Sequence, residues 1–168
     1  MNATSVYPRG TAAADDTEPL TESYPTSRFG TVEVIVDSII DFPLGLIGLG
    51  GSRYALLSTD PASPFLWLQS LDNESLALPV TNPHRFFEDF LVELADADAE
   101  ALGLADGAPA DVYVTVTASS VISEVTVNLK APILIRERRG HQVINQWEQA
   151  AIKTPLFAAP RQPAPATQ

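Results

Sequence analysis

Two histidines, His84 and His141, and 21 carboxylates are what this cysteine-free chain offers for chemistry. A metal centre needs several His, Cys or carboxylate ligands that converge. His84 and His141 lie far apart in sequence, each near arginine, and read as surface residues. Glu88 and Asp89 resemble an acid/base pair on paper, but adjacent carboxylates on a turn diverge, and solvation is their ordinary fate. Asp96-Ala-Asp-Ala-Glu100 lacks the spacing of a calcium loop and reads as a capped helix start with a solvated face. The glycines of Pro43-Leu-Gly-Leu-Ile-Gly-Leu-Gly-Gly51 suggest a phosphate loop, yet the Walker lysine is missing and no G-x-G-x-x-G opens a helix there. Catalytic triads assemble in space, but no serine sits in a G-x-S-x-G elbow. The residues call for no catalysis, no cofactor and no metal.

The elements that carry these side chains are mostly strands. Around Pro64-Phe-Leu-Trp-Leu-Gln-Ser70, alternation sends Phe65, Trp67 and Gln69 to one side and Leu66, Leu68 and Ser70 to the other. Both faces are apolar, as expected of a strand buried on two sides, with Trp67 in the core. Asp72-Asn-Glu-Ser75 supplies a turn, and residues 76–81 supply an antiparallel partner in which Pro79 belongs at an edge or bulge. Further strands are expected at 31–36, 39–42, 54–58, 90–94, 111–117, 123–129, 131–135 and 142–146, with a charged hairpin tip over 136–141. The glycine-rich stretch becomes a loop packed on the core. Asn82 caps a turn opened by Pro83. One short helix is expected from Asp96, its cap, to Gly103. Nine or ten short strands with one helix give an all-β, mainly antiparallel, small barrel-like domain.

Length and composition agree with this. The 168 residues allow one domain with a sizeable core, and 45% are hydrophobic. Residues 1–27 and 158–168 read as tails without fixed structure, which leaves residues 28–157 as the folded domain. No apolar run reaches bilayer length, and the start of the chain lacks the layout of a secretory signal. The cytoplasm is the expected location. A net charge of -11 argues against nucleic acid and anionic membranes as direct partners. Between Phe86 and Asn128 there is no Lys or Arg. The asymmetry either gives a mostly acidic molecule one locally basic hairpin, with Lys130, Arg136, Arg138, Arg139 and Lys153, or simply keeps the surface soluble.

Three blocks resemble the FliW family of flagellar assembly factors. They are Phe42-Pro-Leu-Gly-Leu-Ile-Gly-Leu49, then Pro64-Phe-Leu-Trp-Leu-Gln-Ser70 through Asn82-Pro83, then Asn128-Leu-Lys-Ala-Pro-Ile133 through Gly140-His-Gln-Val-Ile144. Ile47 stands where the family usually has proline, Leu49 where it has an aromatic, and Pro79 where it has an apolar strand residue. The resemblance implies a non-enzymatic β-barrel-like protein that binds the translational regulator CsrA, a basic RNA-binding dimer, and flagellin. Holding CsrA would relieve repression of flagellin translation, and accumulating flagellin would compete and free CsrA again.

On that reading Glu88, Asp89, Glu93, Asp96 and Asp98 supply the field that meets CsrA and repels RNA. Asn82, Asn128 and Gln142 either satisfy buried backbone or touch a partner. Phe86 and Phe87 either cover the barrel or leave one ring as an anchor. Trp147 lies at an interface or covers a barrel end. The alternatives are a chaperone of flagellin alone and a small-molecule or hydrolytic barrel with a pocket of Trp67, Tyr54 and the acids.

Overall fold

The computed structural model describes residues 19–103 and 109–157. Seven strands close into a ring: β3 (Ile40–Asp41), β4 (Arg53–Leu57), β5 (Phe65–Ser70), β6 (Ala77–Thr81), β7 (Asp111–Thr117), β9 (Ile133–Arg136) and β10 (Arg139–Gln142). The short β8 (Thr126–Val127) and β11 (Thr154–Pro155) extend it from β7. A separate hairpin, β1 (Thr21–Thr26) and β2 (Gly30–Ile35), packs against the outside. Every pairing is antiparallel except β3 with β10.

The two-sided apolar strand at 65–70 is found, and its register shows what each face does. Leu68 pairs with Leu56 and Leu78, and all three contribute to a core inside the ring with Ile40, Phe42, Tyr54, Tyr113 and Ile133. Trp67 pairs with Leu57 and Pro79 on the outer face. There Val32, Val34, Ala55 and Leu57 form a second cluster beneath the β1–β2 hairpin. Trp67 is therefore half-buried under this cover, not part of the inner core.

Pro79 lies inside β6, where an edge or bulge was expected. The Ser70 amide donates to the Leu76 carbonyl, so alternation turns the Pro79 nitrogen away from β5 and toward β7. Pairing of β6 with β7 starts only at Val80 and Thr81. The missing N–H is thus placed just where that ladder ends.

Several other expectations shift. The N-terminal tail was drawn to residue 27, but Thr21–Thr26 are a paired strand; residues 1–18 and the C-terminal tail 158–168 lie outside the described residues. Residues 90–94 and 143–146 form no strand, and Ile122–Glu124 make a 3-10 turn that shortens the strand expected over 123–129. The glycine-rich loop packs only in part: Leu46 is buried, whereas Leu44, Ile47 and Leu49 are exposed. The β9–β10 tip narrows to Glu137 and Arg138, both with positive φ (50° and 68°), the geometry of a two-residue type I′ turn. The helix α1 (Asp96–Ala101) begins one residue after its N-cap, Ala95, so Asp96 caps nothing and acts only through its charge at the first turn. Gly103 ends the helix as expected, at a φ of +66°.

The ring closes at β3 and β10 through one parallel residue pair, Asp41 with Arg139. Side chains reinforce this seam. The Arg138 guanidinium donates to the Val36 and Ile39 carbonyls, at 3.2 Å each. Phe42, fully buried, lies edge-on to Tyr54 and flat over Gly140, where an added Cβ would sit 2.3 Å from the ring. The hairpin β1–β2 is tied down by Arg53, whose guanidinium stands between the Tyr24 hydroxyl and Asp72. Asp72 in turn accepts from the Ser52 and Arg53 amides at 2.8 and 3.0 Å.

Two outcomes follow from the seam and the tie. Gly140→Ala forces Phe42 aside and should cost about 3 kcal/mol, the upper part of the overpacking range. Adding Phe42→Leu should recover part of that loss in urea unfolding, a non-additivity that marks direct contact. The Ser52 amide, helped by the Arg53 amide and guanidinium, holds the Asp72 carboxyl below its usual value against the opposing effect of partial burial. A depressed carboxyl stabilises the fold above its unfolded pKa of about 3.9 and loses that contribution as pH falls through the folded value. Asp72→Asn should therefore lower stability at neutral pH and flatten the acid limb of a stability-versus-pH curve.

Candidate protein-interaction surface

The chain leaves β6 through Asn82, whose side-chain oxygen accepts from the His84 amide at 2.9 Å and caps the turn Pro83–Arg85. That turn lays Phe86, Phe87 and Phe90 against the outer face of the sheet. Phe86 lies 6.1 Å from Phe65 and 5.8 Å from Phe157, and Phe86 and Phe87 are both half-buried. Both rings cover the barrel. Glu88 and Asp89, between them and the buried Phe90, point into solvent.

Beyond Phe90 the acidic segment has no ladder to hold it. Asn145, fully buried, does this instead. Its Oδ1 accepts from the Glu93 and Trp147 amides, and its Nδ2 donates to the Leu91 and Leu129 carbonyls. The Gln146 amide adds a bond to the Glu93 carbonyl at 2.8 Å. Sequence reasoning passed over Asn145; its one signal was an amide inside the apolar run Val143-Ile-Asn-Gln-Trp147.

The result is an open depression that brings Glu88, Asp89 and the 54% exposed Leu91 next to Trp147 and Gln149. Trp147 stands edge-on to Phe90 at 5.8 Å, which places an aromatic wall beside two carboxylates. Glu88, Asp89, Glu93 and Asp96 are exposed and form no ion pair among the described residues. Asp98 differs. It is bonded to His141 Nε2 at 2.9 Å, with both side chains largely covered, so His141 is not the surface residue expected and Asp98 is withdrawn from the free field.

The amides of the sequence blocks serve the backbone. Asn128 accepts from the Lys130 and Ala131 amides at 3.0 and 3.1 Å. Gln142 accepts from the Ile47 amide at 2.8 Å and donates to the Ala131 carbonyl at 2.9 Å, fastening the glycine-rich loop to the bend just before β9. With Asn82 capping its turn, all three amides have structural work.

A second surface lies on the outer face of the sheet. Phe65, Trp67, Pro79, Val116, Ile122 and Phe157 line an open, apolar groove of about 470 Å³. Ile122 on its rim is 65% exposed. No sequence signal marks it, because Val121-Ile122 is too short an apolar run to register. Trp67 and Tyr54 face opposite sides of the sheet and share no pocket, and the ring interior is filled by side chains. Among the described residues no group of three or more His, Asp or Glu could hold a metal ion, and no helix is long and apolar enough to cross a membrane.

The fold and sequence have relatives. A family model described as FliW protein matches residues 23–156. The flagellar assembly factor FliW of Natranaerobius thermophilus is 38% identical over 134 residues, 77% of this chain and 89% of that protein. Its counterpart in Geobacter sulfurreducens is 34% identical over 143 residues, 83% of this chain and 90% of that protein. A crystal structure of a flagellar assembly factor FliW superposes with a TM-score of 0.74 at 28% identity, covering 83% of this chain and 99% of the other. With a matching family model across most of its length, relatives above 30% identity and the same barrel in a solved structure, the chain belongs to the FliW family.

Proposed function

We propose that this protein is a flagellar assembly factor that works by binding proteins in the cytoplasm, not by catalysis. It holds the translational regulator CsrA, relieves repression of flagellin translation, and gives CsrA up when unassembled flagellin binds. The observation that carries this reading is the run of exposed acids Glu88, Asp89, Glu93 and Asp96, without ion pairs among the described residues, of which Glu88 and Asp89 share a depression with Trp147. A basic RNA-binding partner is drawn to such a field, and RNA phosphates near the docked acids are repelled. Trp147 supports the same partner, since a guanidinium or ammonium group gains from an aromatic face next to carboxylates.

Asp98 contributes less than its neighbours because His141 already holds it. The rings of Phe86 and Phe87 and the cap from Asn82 support the segment that carries Glu88 and Asp89, while the amides of Asn128 and Gln142 hold backbone elsewhere in the barrel. A small-molecule barrel has no support from the filled interior.

Titration with CsrA and with flagellin, separately and then in competition, tests the reading. Binding of both with displacement of CsrA by flagellin is the expected result; binding of flagellin alone would make the protein a flagellin chaperone. The combined variant Glu88→Gln, Asp89→Asn, Glu93→Gln and Asp96→Asn should slow CsrA association about tenfold or more at low salt and flatten its salt dependence. Asp98→Asn alone should change that rate far less. Unaltered association in the fourfold variant would remove the acidic face from the mechanism.

A further inference from the structure

We propose that the outer-face groove along Trp67 is a second docking surface, for an apolar segment of another protein that carries an acidic residue at its Arg28 end. This goes beyond the CsrA reading and does not depend on it.

The groove is open. Small-molecule sites bury most of their ligand, whereas a trough of about 470 Å³ left open by the described residues suits side chains presented by a protein surface. Its floor and walls are built from the sheet itself. Trp67 and Pro79 are cross-strand partners, the short proline ring leaves the floor low beside Val116, and Phe157 closes one side against Phe65 at 6.5 Å. Elsewhere the same outer face is covered, by the β1–β2 hairpin on one side and by Phe86, Phe87 and Phe90 on the other. Ile122 and Val121, 65% and 48% exposed, add an apolar rim on the 3-10 turn.

Charge identifies the occupant. Among the described residues no charged side chain lines the groove. At its Trp67 wall the Arg28 guanidinium lies 4.3 Å from the indole ring centre, exposed and with no carboxylate partner among the described residues. Glu124, on the turn that carries Ile122, is engaged by the Ser119 hydroxyl at 3.1 Å. In a protein of net charge -11, a cation free to pair beside an apolar trough selects a carboxylate against the long-range field, because close contacts outweigh screened distant ones. The acidic depression at Trp147 selects the opposite charge, so the two surfaces fit different partners.

The probes are two fluorescein-labelled peptides, acetyl-Leu-Ser-Leu-Ser-Leu-Ser-Asp-Asp-amide and the same peptide ending in Lys-Lys, titrated by anisotropy into the full chain. The acidic peptide should bind tighter although the overall field favours the basic one. Arg28→Glu should reverse that order, and Ile122→Glu should weaken both peptides about tenfold, equivalent to roughly 1.4 kcal/mol. Both positions are exposed, so folding is not at stake, and CsrA titrations of Ile122→Glu should match the parent protein. The proposal is overturned by tighter binding of the basic peptide to the parent, by an order that survives Arg28→Glu, by indifference to Ile122→Glu, or by no binding of either peptide at millimolar concentration.

Discussion

Closure of the ring at β3 and β10 is the constraint on which the rest depends. A parallel contact of one residue pair is too short to hold two strands by its own hydrogen bonds. The seam therefore relies on shape and on one long side chain. Phe42 needs the bare surface of Gly140, and Arg138 reaches across to two carbonyls that the 3-10 turn before β3 leaves without strand partners. Without closure, β3 and β10 would present open edges and Tyr113, Ile133 and Ile135 would lose the far wall of their core.

A closed ring with so few strands fills its interior with side chains. Ile40, Leu56 and Ile135 of that core border a small cavity of about 80 Å³, and the two open surfaces, beside Trp147 and along Trp67, belong to the outer face and its loops. That outer face is itself apolar, as Ala55, Leu57, Phe65, Trp67 and Val114 make plain, and must be covered. The hairpin β1–β2 covers one part and the segment from Pro83 to Leu94 another. The acidic residues ride on that second cover, which is why they sit beside aromatic rings: Phe86, Phe87 and Phe90 turn inward as anchors and leave Glu88 and Asp89 pointing out.

Much of this was legible in the sequence. Alternation located β2, β5 and β7 because each is long enough for its period to show, β6 followed as the partner of β5 across the turn at 72–75, and Asn82-Pro83 and Gly103 marked their cap and stop directly. The shortest elements were not delimited: β3 and β8 were expected only within longer strands over 39–42 and 123–129, and β11 was not expected, because two residues carry no period. The strand Thr21–Thr26 was hidden by its polar composition: it is exposed along most of its length and is held by pairing with β2 instead of by burial. Residues 90–94 alternated like a strand yet form none, because the amide of Asn145 satisfies their backbone in place of a neighbouring strand. His141 read as a surface residue because its partner, Asp98, comes from a helix 43 positions away.

The candidate site was legible only in part, for a related reason. The blocks most easily recognised, around Phe42, Pro64 to Pro83 and Asn128 to Ile144, hold the residues that close the ring and satisfy its backbone. Asn82, Asn128 and Gln142 are fixed there by amide and carbonyl groups, and Phe42 and Gly140 by each other. Recognition of the family is thus recognition of its frame. The groups left free to meet a partner, Glu88, Asp89, Glu93, Ile122 and Arg28, lie outside those blocks or on loops between them. The acids among them could be picked out in the sequence by charge alone, whereas Ile122 and Arg28, whose exposure leaves their identity unconstrained by packing, could be weighed only once the fold had placed them beside Trp67.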